Sequence, residues 1–276
     1  MNAVNAIFGL LINGLIAPLS GLPAWLPLTV ASLLFGMIAA LAFRYTSNQA
    51  ALKRVSTRVG SSLLAMRLFG DDVGVMFRAQ GSLIWASIKR LLLSIPPLLF
   101  MFIPFTLVAT QLAMWYEFRP LIVGENATLE VRTRPEDFDK VAAIAPQVPT
   151  GVELVGPVRS IANSAIYWDV RPTATTLGEL VWDIDGQRIT KALAVVGSTS
   201  TLASASPKRP GGVFWDQVLY PAESAFAATS PIQEISIAYP TRSTPIFGVN
   251  LPWWLTFLIV SILGALAIKP FVKLQF

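Results

Sequence analysis

Histidine and cysteine are both absent from this chain of 276 residues. Without cysteine the chain has no disulfide, no zinc–thiolate or iron–sulfur site and no thiol nucleophile. Without histidine it lacks the commonest metal ligand, the usual axial ligand of haem and the side chain that most readily titrates near neutral pH. These absences exclude hydrolases with a serine–histidine–aspartate triad and carriers that hold a redox centre through histidine.

Charged side chains are also scarce. They make up 13% of the chain and apolar residues 54%, whereas an ordinary soluble domain is about 25% charged and about 45–50% apolar. Three apolar stretches, residues 25–43, 91–116 and 251–268, approach or exceed the roughly 20 helical residues that cross a bilayer. Aromatic residues typical of the membrane interface lie at their ends: Trp25, Trp115, Tyr116, Trp253 and Trp254. The sequence therefore predicts an integral membrane protein with three transmembrane helices.

The basic residues are distributed unevenly around these spans. Residues 44–90 contain eight basic and two acidic side chains, whereas residues 117–250 contain eleven basic and fourteen acidic ones. By the positive-inside rule, the 44–90 segment and the tail, residues 269–276, are expected in the cytoplasm. The N-terminus and residues 117–250 are expected outside, in a bacterial-type inner membrane.

Residues 1–24 are apolar but too often interrupted by proline and glycine for a regular span. They lack the basic start of a cleaved signal peptide. We expect an outer interfacial helix whose side chains Phe8, Leu10, Leu11 and Leu15 dip into lipid. A fourth span is the alternative.

A cytoplasmic hairpin of two helices is predicted between the first and second spans. Residues 46–69 are expected to continue the first span as a helix, Gly70 to end it, and Asp71 or Asp72 to cap the helix that follows. Apolar and small residues recur at spacings of three and four, as in an antiparallel coiled coil. The predicted seam consists of Leu52, Val55, Val59, Ser62, Met66 and Phe69 on the first helix and Val73, Phe77, Ile84 and Ile88 on the second.

Two interpretations of the basic residues on this hairpin remain open. They are either a solvated helix face that also sets the topology, or a docking surface for ribosomal RNA, a nascent chain or anionic lipid. Aromatic residues do not alternate with them as in base-stacking surfaces, so specific DNA or RNA recognition is not expected. The candidate docking residues are Lys53, Arg54, Arg58, Arg67 and Arg78.

Residues 117–250 show the alternation typical of β-strands, with about six strands expected. Asp185-Gly186 separates two such runs and is a strong hairpin signal. We predict an extracytoplasmic all-β sandwich-like domain with immunoglobulin-like architecture. Residues 198–230 are rich in Ser, Ala and Pro and are expected to form a long surface loop. Within it, Phe214 and Trp215 either contact an external partner or pack back onto the sandwich.

The sequence offers no catalytic, cofactor-binding or metal-binding residues. The external carboxylates follow no spacing that indicates acid–base chemistry, and neither a phosphate-binding glycine loop nor a nucleophile elbow is present. A non-enzymatic protein without a cofactor is therefore expected. Within the spans, small residues such as Gly36, Ser261 and Gly264 are typical of helix–helix contacts in lipid.

The order of elements resembles the three-helix core of the YidC/Oxa-type membrane insertases and their archaeal and endoplasmic-reticulum relatives. The resemblance covers about residues 1–115 and 250–276, including F-R-Y-T-S-N-Q-A-A-L-K-R-V after the first span and L-F-G-D-D-V-G-V-M at the hairpin tip. It implies a groove for client helices, made here by Thr106, Thr110 and Gln111. Bacterial members carry an arginine in that groove, whereas no span of this chain contains Arg or Lys before its final turn. The β domain lies outside the resemblance.

Two functions follow as hypotheses. The first is an insertase-like or assembly factor that receives client helices while its hairpin meets a ribosome or nascent chain. The second is an accessory structural subunit that stabilises a large respiratory or photosynthetic complex through its spans and β domain. Both involve membrane lipids and other membrane proteins as partners.

Overall fold

The computed structural model describes residues 2–69, 71–245 and 248–272. The chain folds into two compact units. The first consists of the segments up to Ala31 and from Leu107 to Thr256, and the second consists of Ser32–Thr106 and the segment from Phe257 onward. The predicted helix break at Gly70 lies outside the described residues. So do residues 273–276 of the predicted tail.

Helices contain the longest apolar runs of the sequence. The first, α1 (Asn2–Ile16), ends in a single 3₁₀ turn, Ala17–Leu19. Three further helices are long and apolar enough to cross a membrane, which confirms three candidate spans. They are α2 (Trp25–Thr46), α4 (Val73–Tyr116) and α7 (Trp253–Val272), and α3 (Gln49–Leu68) lies between the first two of them.

Both helices of the predicted hairpin begin at a side-chain cap. The Asn48 side chain accepts a hydrogen bond from the Ala51 backbone N–H at 2.9 Å, so α3 starts anew after α2 ends at Thr46. The prediction of one helix continuing from the first span is therefore wrong at this break. At α4, Asp72 Oδ1 accepts from the Val75 N–H at 3.1 Å, which confirms Asp72 as the cap. An oxygen acceptor at this position satisfies an otherwise unpaired N–H of the first turn.

The α3 half of the predicted seam is largely buried within the described chain. Leu52, Val55 and Ser62 are buried, while Val59 and Met66 are half-buried. Phe69 is 54% exposed, because α3 has ended before it. Ser62 Oγ donates to Ser82 Oγ at 3.2 Å, which joins α3 to the first part of α4.

The α4 half of the predicted seam is wrong. Val73, Phe77, Ile84 and Ile88 are all exposed, and the buried positions are the small residues in another stripe of the helix. Short side chains at a seam allow two helix backbones to approach closely, whereas phenylalanine and isoleucine there would hold them apart. The buried α4 positions are Ala79 and Ala86, with Val75, Ser82 and Leu83 half-buried.

Small residues also permit close helix packing within the second unit. A Cβ placed on Gly36 of α2 would lie 2.0 Å from the Ser261 backbone oxygen of α7, and one on Gly264 would lie 2.7 Å from the Leu33 oxygen. These residues are therefore helix–helix contacts, as predicted from their size. Nearby, Phe35, Phe105 and Phe257 form an aromatic cluster with ring centroids 5.3–5.9 Å apart.

The first unit contains the predicted β domain, and its strands form two sheets. In the described ranges the strands are β1 (Leu121–Ile122), β2 (Ala127–Thr133), β3 (Val152–Ser160), β4 (Ala165–Pro172), β5 (Thr176–Ile184), β6 (Gln187–Val196), β7 (Lys208–Arg209) and β8 (Ile232–Ile237). The three-stranded sheet has the order β1-β6-β5 and the five-stranded sheet β3-β4-β2-β8-β7, with β1 parallel to β6 and the other pairs antiparallel.

Buried residues of both sheets form one hydrophobic cluster, so the sandwich-like β domain is confirmed. Trp168 of β4 and Trp182 of β5 belong to it, as does α5 (Phe138–Ala142) through Val141. The predicted hairpin turn is also present, because Asp185 and Gly186 link β5 to β6 with φ of 52° and 76°. Positive φ at both turn residues is the reason for the Asp-Gly preference at such turns.

The prediction of a long surface loop over residues 198–230 is wrong. This segment contains β7 and a short helix, α6 (Phe214–Leu219), and it buries Leu202 and Ala205. Its backbone bonds to regular elements, for example through the Ala205 N–H to the Met114 carbonyl at 2.8 Å. Serine and proline made the segment resemble a solvent-exposed loop, but these long-range hydrogen bonds are not visible in composition.

Candidate interaction surfaces

The predicted groove residues use their polar groups within the protein. Thr106 Oγ1 donates to the Phe102 carbonyl at 2.8 Å, and Thr110 Oγ1 donates to the Leu107 carbonyl at 3.1 Å. Both are local bonds along α4, which is the usual way for a hydroxyl to be satisfied in a helix. Thr110 and Gln111 are buried, and Thr106 is half-buried.

Gln111 fastens α1 to α4 in the first unit. Its side-chain amide donates to the Asn5 carbonyl at 3.1 Å, and a Cβ on Gly9 would touch the same amide at 3.5 Å. One helical turn further along α4, Trp115 Nε1 donates to Asn13 Oδ1 at 2.9 Å. The polar stripe of α4 therefore holds α1 by two hydrogen bonds, while Leu10 and Leu11 of α1 remain exposed.

All five candidate docking residues of the hairpin are exposed: Lys53, Arg54, Arg58, Arg67 and Arg78. Arg58 also donates from Nε to Ser82 Oγ at 3.4 Å, across to α4. The structure places Lys53, Arg54, Arg58 and Arg67 along α3 and Arg78 on α4, so they do not converge on one binding point.

A second feature of the hairpin is its exposed apolar side chains, which sequence reasoning assigned to the seam or missed. Phe77 is 67% exposed and Trp85 64% exposed, although neither lies in one of the three predicted spans. The small residues at positions 79, 82 and 86 could have indicated this exposure from the sequence. They lie on one face of α4 and form its contact with α3, so the large apolar residues lie outside the contact. We call the following set the hairpin apolar surface: Leu63, Leu64, Leu68, Phe69, Val73, Met76, Phe77, Ile84, Trp85 and Ile88.

Phe214 and Trp215 lie on α6 and are both exposed, Trp215 by 62%. Their rings contact each other edge-to-face with centroids 5.4 Å apart. The helix that carries them is fixed on its other faces: Val218 is buried, Lys208 Nζ bonds Asp216 at 3.2 Å, and the Gln217 carbonyl accepts from Asn5 Nδ2 at 2.7 Å. The two aromatic side chains are therefore displayed on a held helix and do not pack into the sandwich core.

The most polar point in the core of the β domain is the fully buried Lys191 of β6. Its ammonium group donates to the Ser206 carbonyl, to Ser206 Oγ at 3.0 Å and to Glu223 Oε1. Burial lowers the pKa of Lys191, while the Glu223 carboxylate opposes that shift. The three ammonium protons have three acceptors and the Ser206 hydroxyl also bonds the Glu223 carboxylate, so the cluster is satisfied as a structural ion pair.

Across residues 2–69, 71–245 and 248–272 no group of three or more Asp and Glu residues is close enough to hold a metal ion. No family model, curated protein or solved structure matches this chain.

Proposed function

We propose that this protein is a non-enzymatic insertion or assembly factor for membrane proteins, and that its α3–α4 hairpin receives an apolar segment of the client. The observation that carries the proposal is the hairpin apolar surface. Soluble surfaces rarely display large contiguous apolar patches, and exposed patches of that kind are typical of sites that bind another apolar surface. Ten large apolar side chains on one short hairpin are many for a surface with no such role.

The composition of the hairpin favours a membrane-protein client. Aromatic and methionine side chains such as Phe77, Trp85 and Met76 suit varied apolar sequences, because methionine adapts its shape and aromatic rings provide large contact areas. Exposed Arg67 and Arg78 lie on the same two helices and attract acidic flanks of a client or anionic lipid. From the positive-inside rule we expect this hairpin in the cytoplasm, where newly made chains arrive.

The proposal places client contact on the hairpin. The hydrogen bonds of Thr106, Thr110 and Gln111 are made within the protein, so these residues offer a client little free polar capacity. The order of the helices and the hairpin resembles that of YidC/Oxa-type insertases, and this resemblance supports the proposed function. The arginine of the bacterial groove has no counterpart in the three spans predicted from the sequence, residues 25–43, 91–116 and 251–268.

Site-specific photo-crosslinking tests this function. A photoreactive amino acid replaces Phe77 in one variant and Gln80, an exposed polar position on the same helix, in a matched control. We expect apolar segments of newly synthesised membrane proteins to be captured at position 77 and not at position 80. Equal capture at both positions, or capture at neither while such proteins are being made, would contradict the proposal.

A second candidate function is an accessory subunit of a large membrane complex, which the exposed Phe214–Trp215 pair favours. Aromatic residues are enriched at the centres of protein interfaces. If this function holds, extraction from native membranes in mild detergent yields a particle of fixed stoichiometry, and the double variant F214S/W215S releases the chain from it. A chain extracted as a monomer, or a complex that the double variant leaves intact, counts against this function.

A further inference from the structure

A cavity of about 470 Å³ opens in the first unit beside the start of α2. Trp25 contributes one wall and Arg119 another, and the segments that follow β6 and β8 contribute the rest through Thr199, Ser200, Arg242 and Thr244. Its volume lies within the range of about 300–1,000 Å³ typical of small-ligand pockets. Hydroxyl groups and arginine side chains are frequent in its lining, unlike the apolar surfaces described above.

Arg242 brings a positive charge to this cavity. Its Nη2 donates to the Thr201 carbonyl at 2.9 Å, but its buried Nε has no hydrogen-bond partner within the described chain. Among residues 2–69, 71–245 and 248–272 no carboxylate lies within 4.0 Å of its guanidinium. Burial lowers the pKa of Arg242, Tyr116 opposes that shift and nearby Arg119 adds to it, yet guanidinium remains protonated in proteins. A partly buried cation of this kind is stabilised by an anion.

The other arginine of the cavity is already neutralised. Arg119 makes a bidentate ion pair with Glu125, with both N–O distances at 2.7 Å. Glu117, the remaining carboxylate of the same chain segment, accepts a hydrogen bond from Trp253 Nε1. Neither carboxylate therefore serves as the counter-ion of Arg242.

Thr244 supplies a second unsatisfied group. Its side-chain Oγ1 is buried and has no hydrogen-bond partner in the described residues. A buried hydroxyl without a partner costs free energy, and a ligand oxygen in the cavity would accept its proton. Arg242 and Thr244 are two residues apart in the chain, and both line the cavity.

The position of the cavity indicates where such an anion comes from. Trp25 begins α2, and Trp254, which is exposed, lies at the start of α7. Tryptophans at the ends of spans lie at the headgroup level of a bilayer. We propose that this cavity binds a phosphate group, held by Arg242 and Thr244, and that a phospholipid headgroup supplies it. Arginine matches phosphate through paired N–H donors.

Lipid titration of the full-length protein in detergent, followed by native mass spectrometry, tests this site. The probes are phosphatidylglycerol, diacylglycerol with the same acyl chains but no phosphate, and inorganic phosphate. We expect one tightly held phosphatidylglycerol per chain, no comparable binding of diacylglycerol, and weaker binding of inorganic phosphate. R242Q is expected to weaken phosphatidylglycerol binding about tenfold and T244V about threefold, the effects of losing a charged and a neutral hydrogen bond.

Arg188 provides the matched control, because it is exposed on β6 away from the cavity lining. R188Q removes the same charge and should leave phosphatidylglycerol binding unchanged. If inorganic phosphate binds as tightly as the lipid and R242Q abolishes this binding, the cavity is a phosphate site whose ligand is free phosphate and not a lipid headgroup. Equal binding of diacylglycerol and phosphatidylglycerol, or unchanged lipid binding in a folded R242Q and a folded T244V, would overturn the proposal.

Discussion

At the residue scale, strand alternation and charge conflict at Lys191. Ile189, Lys191 and Leu193 are buried, and they alternate with exposed or half-exposed neighbours along β6. Because every second side chain of a strand lies on the same face, the lysine points into the core together with the two apolar residues. Its partner Glu223 comes 32 residues later in the chain. The alternation was readable from the sequence, but the partner was not, because no local pattern connects the two residues.

Glu223 is expected to contribute to stability by compensating the Lys191 charge. E223Q keeps the shape of the side chain but removes the negative charge, and leaving one partner of a buried pair alone costs about 3 kcal/mol or more. We expect a loss of about 3 kcal/mol in the free energy of unfolding of the full chain in detergent, measured from tryptophan fluorescence. E136Q serves as the control, since Glu136 is exposed. A loss in E223Q no larger than in E136Q would contradict this role.

Glu125 should make stability depend on pH. Its hydrogen bonds with Arg119 hold the pKa of this carboxyl below its usual value. Because the folded pKa is the lower one, the stabilisation is present above the unfolded pKa of about 4.3 and is lost as pH falls through the folded pKa. E125Q should lower the unfolding free energy by about 1–2 kcal/mol at pH 7. The difference in unfolding free energy between E125Q and the original protein should shrink as the pH falls below 4. A difference that stays constant with pH would contradict this role of Glu125.

At the element scale, side-chain size decides which helix faces meet. The hairpin has two heptad stripes on α4, one of large apolar residues and one containing alanine and serine. Hydrophobicity alone favoured the first stripe, but the close approach marked by the Ser62–Ser82 hydrogen bond selects the second. The same principle operates at Gly36 and Gly264, where the backbones leave no room for a methyl group.

Two glycines in helices should respond oppositely to alanine. In G36A the new Cβ would meet the Ser261 backbone oxygen, so α2 and α7 must separate at a cost of about 1–3 kcal/mol. Gly60 of α3 has nothing within 4 Å of its Cβ position, so G60A should gain up to about 1 kcal/mol from helix propensity. Thermal unfolding of both variants in the same detergent measures the contrast. A G36A protein as stable as the original would refute the close packing.

At the scale of the whole molecule, the absence of cysteine makes the proposed topology directly measurable. Single cysteines at the exposed positions Ser61 in α3 and Ser198 after β6 introduce the only thiols in the chain. With the hairpin in the cytoplasm, a membrane-impermeant maleimide added to intact cells should label S198C and spare S61C. After the membrane is opened both should react. Labelling of S61C alone in intact cells would reverse the orientation.

The sequence by itself determined the three apolar spans, the uneven basic charge, the β5–β6 turn and the strands around it. These follow from local rules: the length of apolar runs, alternation along a strand, and positive φ at Asp185 and Gly186. Only the tertiary structure decided that Phe77 is outside the seam, that Gln111 holds α1, that Lys191 meets Glu223, and that no carboxylate of the described residues lies within 4.0 Å of Arg242. Each of those depends on which distant backbone comes close enough to fill a space or satisfy a charge, and chain-local patterns carry no information about that distance.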